Sequence, residues 1–191
     1  MTRRRADAVQ NRDKLLQAAQ EVFLELGLNA PLDLIAERAG VGRATLFRNF
    51  ADRHALILGL LDRGVADMEA RADMLKDDPA ALVIMLRQVA DHTLEYAPLT
   101  EYWQAIDHGS EAFRTSIERV LAVFEAPVAR AVASGTCRRD LQASDVLLAI
   151  SMVNGPLIAP TEELRRQLAE RAWRFAIDML QLREPSAPME N

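Results

Sequence analysis

A chain of 191 residues, half of them apolar and 5% aromatic, is long enough to bury a substantial core in one or two domains. Its formal net charge of -5 argues against a general polyanion binder, and with Cys137 as the one cysteine an intrachain disulfide is excluded and a cysteine-based metal site disfavoured. Ala and Leu dominate the long periodic segments, which favours helices, and no run of alternating β-branched residues reads as a strand.

Charge is unevenly distributed. Residues 1–53 hold nine Lys or Arg against seven Asp or Glu, whereas the remainder holds fourteen against twenty-one. A mildly basic head on an acidic body suits local contact with DNA better than attraction over the whole surface. No secretory-type apolar leader and no long uncharged apolar run is present, so the expectation is a cytoplasmic protein without a membrane partner.

Residues 1–10 contain Arg3, Arg4 and Arg5 without an apolar face. They read either as a disordered terminus or as an arm adding phosphate or minor-groove contacts. The first helix is expected over residues 11–26, where Leu15, Ala19, Val22, Phe23 and Leu26 recur at three- and four-residue spacing before Gly27. Pro31 can open a second helix, with Asp33 near the positive end of its first turn and Leu32, Ile35, Ala36 and Ala39 as its apolar face. Gly40-Val41-Gly42 ends it. A third, short helix follows over residues 43–50, with Leu46, Phe47 and Phe50 expected inward and Arg43, Thr45, Arg48, Asn49 and Arg53 offering donors. Two short helices about a Gly-bearing turn read as a helix-turn-helix offering its second helix to the major groove. The same pair is also an ordinary way to close a helical core, and spacing alone leaves both readings open.

The stretch IAERAGVGRATLFRNFADRHALI resembles the N-terminal domain of the TetR family of transcriptional regulators. It carries Ile-Ala, Ala-Gly-Val, Thr-Leu-aromatic, a terminal Phe, a basic residue and a downstream Leu, and the likeness covers about residues 11–60. The resemblance implies an all-α fold: a three-helix DNA-binding head followed by a larger helical body for ligand binding and dimerisation. It divides the chain into residues 1–53 (arm and head), 54–182 (body) and 183–191 (a flexible tail).

The resemblance also implies DNA contacts from Arg43, Ala44, Thr45, Phe47, Arg48, Asn49 and Arg53. Arg43 is the first choice for guanine and Ala44 for a thymine methyl. Thr45, Asn49 and Arg53 look like phosphate contacts, and Arg48 suits a base or a phosphate. Three residues depart from the family's pattern. Gly42 stands where a capping Ser is frequent, Phe47 replaces the common Tyr and loses its hydroxyl, and Asn49 replaces a His or Tyr.

Asp52 is expected to cap a long helix to about residue 75, which in the family links head to body. Asp78-Pro79 restarts a helix over residues 80–96, and a shorter one is expected at about 99–108. Ser110 can cap a helix to about Ser134 that Pro127 is placed to bend, and two further helices are expected at about 143–154 and 162–182. The wide apolar surface of the final helix exceeds what one packing partner needs. By resemblance the last two helices form a homodimer interface through Val146, Ile150, Leu164, Leu168, Phe175 and Met179.

The family also implies an effector pocket in the body, assigned to Met85, His92, Trp103, Phe113 and Phe124, although each alone reads more readily as core. Few basic residues lie between 80 and 113, so the expected effector is a small hydrophobic or cationic molecule. His92 beside Asp91 and His108 beside Asp107 supply acid–base residue types, but adjacency turns each pair in different directions around a helix. No nucleophilic, phosphate-cradling or metal motif joins them, so neither enzymatic activity nor a cofactor is expected. The leading expectation is a homodimeric repressor released from pseudopalindromic operator DNA by a small molecule. The alternatives are a transcriptional activator and a helical protein-interaction module without specific DNA binding.

Overall fold

Helix boundaries follow the chain's breakers and caps. Pro31 sits just ahead of the second helix, and Asp52 Oδ1 accepts from Ala55 N at 2.7 Å. Asp78 Oδ1 accepts from Ala80 N at 2.7 Å in the turn before a helix that begins at Ala81, so Asp78 shapes the turn and does not cap the helix. Thr161 caps the last helix through Leu164 N at 3.2 Å. The computed structural model describes residues 3–95, 111–154 and 160–183. Among these the chain is helical throughout, without a strand: α1 (Arg3–Leu26), α2 (Leu32–Arg38), α3 (Arg43–Asn49), α4 (Arg53–Met74), α5 (Ala81–Glu95), α6 (Glu111–Ser134), α7 (Ala143–Asn154) and α8 (Glu162–Leu180).

Two apolar cores form. In the head, Leu15, Leu16, Ala19, Val22 and Phe23 of α1 pack against Ile35 and Ala36 of α2, Leu46 of α3 with Phe50 at its end, and Leu56, Ile57 and Leu60 of α4. In the body, Val65 of α4 joins Leu82, Met85 and Leu86 of α5, Phe124 and Val128 of α6, Val146 and Ala149 of α7, and Ala176 and Leu180 of α8. One helix therefore crosses from head to body. At about 1.5 Å per residue its 22 residues span about 33 Å. The head core takes residues of α4 as far as Leu60, beyond the division expected at residue 53.

Two expectations about the termini change. α1 begins at Arg3, so residues 3–10 are a helical extension and not a disordered terminus. No Gly or Pro interrupts this segment, and the exposure of residues 7–10 explains why apolar periodicity misses it. At the other end the chain is fixed further than expected. Leu182 is buried, its N–H donates to Ile177 O at 3.1 Å, and Arg183 N donates to Thr136 O at 2.9 Å. The tail expected to be loose from residue 183 is thus tied to the end of α6 through that residue. The short helix expected at 99–108, Ser110 and residues 184–191 lie outside the described residues.

Candidate nucleic-acid interface

A seven-residue helix has too little internal hydrogen bonding to persist alone, so α3 depends on its inward face. Leu46 and Phe50, four residues apart, both insert into the head core, and the Arg12 guanidinium lies 4.6 Å from the centre of the Phe50 ring. The turn before it is set by Gly40 at φ +65, a left-handed conformation that glycine adopts without a Cβ clash, and by Val41 N donating to Ala36 O at 3.0 Å. Gly42 precedes α3 without a side-chain cap.

This anchoring turns Arg43, Ala44, Phe47 and Arg48 outward. Phe47 was expected inward and is 40% exposed. Leu46 and Phe50 occupy the buried stripe, and a residue one step after Leu46 is rotated about 100° away from it. The outward face is organised by its own contacts. Arg43 Nη1 pairs with Asp33 Oδ2 of α2 at 3.1 Å, and its guanidinium lies 5.5 Å from the Phe47 ring centre. Arg48 Nη2 donates to Thr45 Oγ1 at 2.9 Å, while Asn49 Nδ2 donates to Thr45 O at 2.8 Å.

Arg53 opens α4 but reaches back to the loop between α1 and α2. It donates to Leu28 O, and through Nη2 to Ala30 O at 2.7 Å, with its guanidinium 5.7 Å from the Phe23 ring centre. The residue expected to hold a phosphate is therefore also the brace that fixes the chain entering α2. On another side of the head, Arg38 grips Glu25 with bonds of 2.6 and 2.8 Å, and that hydrogen bonding holds the Glu25 carboxyl below its ordinary range. No sequence pattern marked this tie or the Asp33–Arg43 pair, because both depend on how α2 lies against its neighbours.

The residues expected around an effector separate. Met85 and Phe124 are buried side chains of the body core, and Phe113 is half-buried. Met85 and Phe124 thus fill packed space instead of lining a hollow, since large apolar side chains at a multi-helix junction gain most from close packing. The His92 side chain and Trp103 lie outside the described residues. Between α5, α7 and α8 there is a void of about 10 Å³ beside Leu86, Ala149 and Trp173, and a 220 Å³ open groove runs along Val83, Trp173 and Ile177.

The residues expected at a dimer interface also divide. Leu164, Leu168 and Phe175 of α8 are exposed, but Val146 is fully buried in the body core, with Ile150 and Met179 packed against it. The exposed apolar residues of α7 are Leu148 and Met152 instead. Both pairs are four residues apart, so spacing could not choose between them; the direction in which α7 packs on α5, α6 and α8 does. Among the described residues no helix is long and apolar enough to cross a membrane, and no group of His, Cys, Asp and Glu is arranged to hold a metal ion.

Comparison with known proteins agrees with this geometry. Residues 15–60 match the family model described as "Bacterial regulatory proteins, tetR family". The crystal structure of a TetR transcriptional regulator from Streptomyces coelicolor is 32% identical, with a TM-score of 0.65 over 92% of this chain and 99% of that one. An HTH-type transcriptional regulator from Staphylococcus aureus is 28% identical over 93 residues, 48% of this chain and 50% of the relative. The HTH-type transcriptional activator FasR from Mycolicibacterium smegmatis is 30% identical over 111 residues, 57% of this chain and 46% of the relative. The chain spans about half the length of these curated relatives. A matching head, a likeness that extends through the body and an outward-facing helix α3 identify the chain as a member of the TetR family, a transcriptional regulator with a helix-turn-helix DNA-binding domain.

Proposed function

We propose that the protein is a homodimeric transcriptional repressor that reads a pseudopalindromic operator and leaves it when a small molecule binds the body. The observation that carries this reading is the outward face of α3, where Arg43, Ala44, Phe47 and Arg48 are exposed while Leu46 and Phe50 hold the helix. In it, Arg43 contacts guanine and Ala44 the methyl of a thymine; Phe47 packs beside Arg43 against the groove wall. Arg48 serves a base or a phosphate, and Thr45, Asn49 and Arg53 contribute to backbone contacts. Two heads are required, because one seven-residue helix covers only a few base pairs.

The dimer forms through α7 and α8, whose exposed Leu148, Met152, Leu164, Leu168 and Phe175 supply the apolar surface. Residues 1–60 form the DNA-binding part, the chain from there to residue 182 forms the body, and the protein acts in the cytoplasm. The effector is small and hydrophobic or cationic. Its site is assigned to Phe113, His92 and Trp103 together with Met85 and Phe124, and its occupancy moves the heads through α4. A compound screen that finds no molecule altering DNA affinity would remove the effector from this account.

Selection from random-sequence DNA at fixed salt tests the central reading. The intact protein should enrich an inverted repeat, and Arg43→Ala and Arg48→Ala should weaken binding. Arg43→Ala should also relax one base position in each half-site, at about 1–3 kcal/mol of lost discrimination. Enrichment of no sequence across salt concentrations would favour a protein-interaction module. Activation is the second reading, favoured by the likeness to FasR. A promoter–reporter assay decides between them, since deleting the gene should raise expression under repression and lower it under activation.

A further inference from the structure

Arg43, the first residue of α3, is held from two directions. Asp33, in the first turn of α2, pairs with its Nη1 at 3.1 Å, and the Phe47 ring one turn further along α3 lies under the guanidinium at 5.5 Å. Both charged side chains are well exposed, 69% for Arg43 and 60% for Asp33. An ion pair that open to water contributes little to folding. It nevertheless places a carboxylate at the edge of a face that would meet phosphates, which lowers affinity for any DNA. An acidic side chain in the first turn favours α2 by itself, but that role needs no contact with Arg43, and general DNA attraction is weakened by a carboxylate at this point.

Orientation accounts for the contact. A bidentate contact requires an arginine to surrender its rotamer freedom, and less is lost when the guanidinium is already positioned. Asp33 engages Nη1, which leaves the Nε–Nη2 edge, with its two parallel N–H bonds, as the one to meet a base. Guanine presents the matching pair of acceptors, O6 and N7, in the major groove, while adenine offers a donor where O6 stands. The Phe47 ring, 5.5 Å from the guanidinium, attracts it from a second side and narrows the positions open to it.

We propose that Asp33 is a specificity-determining positioning residue: it aims Arg43 at guanine and exchanges non-specific affinity for base discrimination. This rests on the reading that α3 enters the major groove. Asp33 touches no base itself and acts through Arg43.

The experiment takes the operator selected by the wild-type chain and measures binding to every single-base variant of one half-site. The proteins compared are wild type, Asp33→Asn, Asp33→Glu, Arg43→Ala and the Asp33→Asn/Arg43→Ala double variant, with circular dichroism melts to show that each head is folded. Asp33→Asn should lose about tenfold of the preference for guanine at one position and leave the other positions unchanged. Its affinity for random DNA should be equal or higher. Asp33→Glu should recover part of the preference. The double variant should discriminate no worse than Arg43→Ala alone, because the aspartate has nothing left to position.

A loss spread evenly over all positions would make Asp33 merely a support for α2 and overturn the proposal. So would unchanged guanine preference in Asp33→Asn, or additive losses in the double variant. Failure of the wild-type chain to select any DNA would overturn the groove reading and this role together, whereas selection without a position-specific effect of Asp33→Asn removes this role alone.

Discussion

Two glycines in α4 show how far a residue's effect depends on what surrounds it. A Cβ on Gly59 would lie 2.8 Å from Phe50 Cε1 and 3.1 Å from Leu16 Cδ2, both fixed in the head core. A Cβ on Gly64, five residues along the same helix, would meet nothing within 4 Å. In a helix interior alanine is favoured over glycine by about 1 kcal/mol. Gly64→Ala should therefore stabilise the protein by about that amount. Gly59→Ala should destabilise it, because overpacking a filled core costs about 1–3 kcal/mol and outweighs the helix gain. Urea denaturation of the two variants checks the opposite signs. Since Phe50 is the residue that seats the end of α3, Gly59→Ala should also weaken DNA binding.

At the scale of elements, one side chain of α6 clamps α4 at two points beside their shared apolar core. Arg119 binds both oxygens of Glu69, at 2.9 and 2.8 Å, and also pairs with Asp62, two helical turns earlier on α4. The hydrogen bonds to Glu69 and then Asp62 raise the Arg119 pKa, and the same bond lowers that of Glu69. Breaking the clamp with Arg119→Ala should increase amide hydrogen exchange along the body half of α4 and lower the melting temperature. The difference from wild type should shrink at high salt, because the groups are exposed and screened. Unchanged exchange would show that apolar packing alone fixes α4.

The corner between α6 and α7 gives a pH test. Hydrogen bonding from Arg138 holds the Asp140 carboxyl at about 2, below its ordinary 3.8. A carboxylate whose folded pKa is depressed adds stability that is complete above the ordinary value and is lost as the pH falls towards the folded one. Glu25, Glu69 and Glu170 are lowered by arginines in the same direction. Melting temperature should therefore fall as the pH is lowered from about 5 to 2, and Asp140→Asn should reduce that slope.

For the molecule as a whole, the outcome rests on surfaces that one protomer leaves uncovered. Leu148 is 61% and Phe175 54% exposed, on the two helices proposed to pair. Phe175→Glu combined with Leu148→Glu should convert a dimer to a monomer in analytical ultracentrifugation, while the helical content stays unchanged. Such a monomer should lose most of its operator affinity, since linking two heads multiplies weak contacts. A variant that stays dimeric would move the interface elsewhere on the body.

The sequence by itself determined the helical class, the turn at Gly40 and the capping role of Asp52, because each depends on residues within a few positions of one another, and the family, because its motif runs along one contiguous stretch. Tertiary structure decided which of two equally spaced stripes turns inward. Phe47 faces out because Leu46 and Phe50 take the core, and Val146 is buried while Leu148 is not. It also decided what Asp33, Arg53 and Arg119 touch, since their partners lie 10 to 57 residues away along the chain. Spacing along a helix fixes which residues share a face, but only the neighbouring helices determine which face is covered.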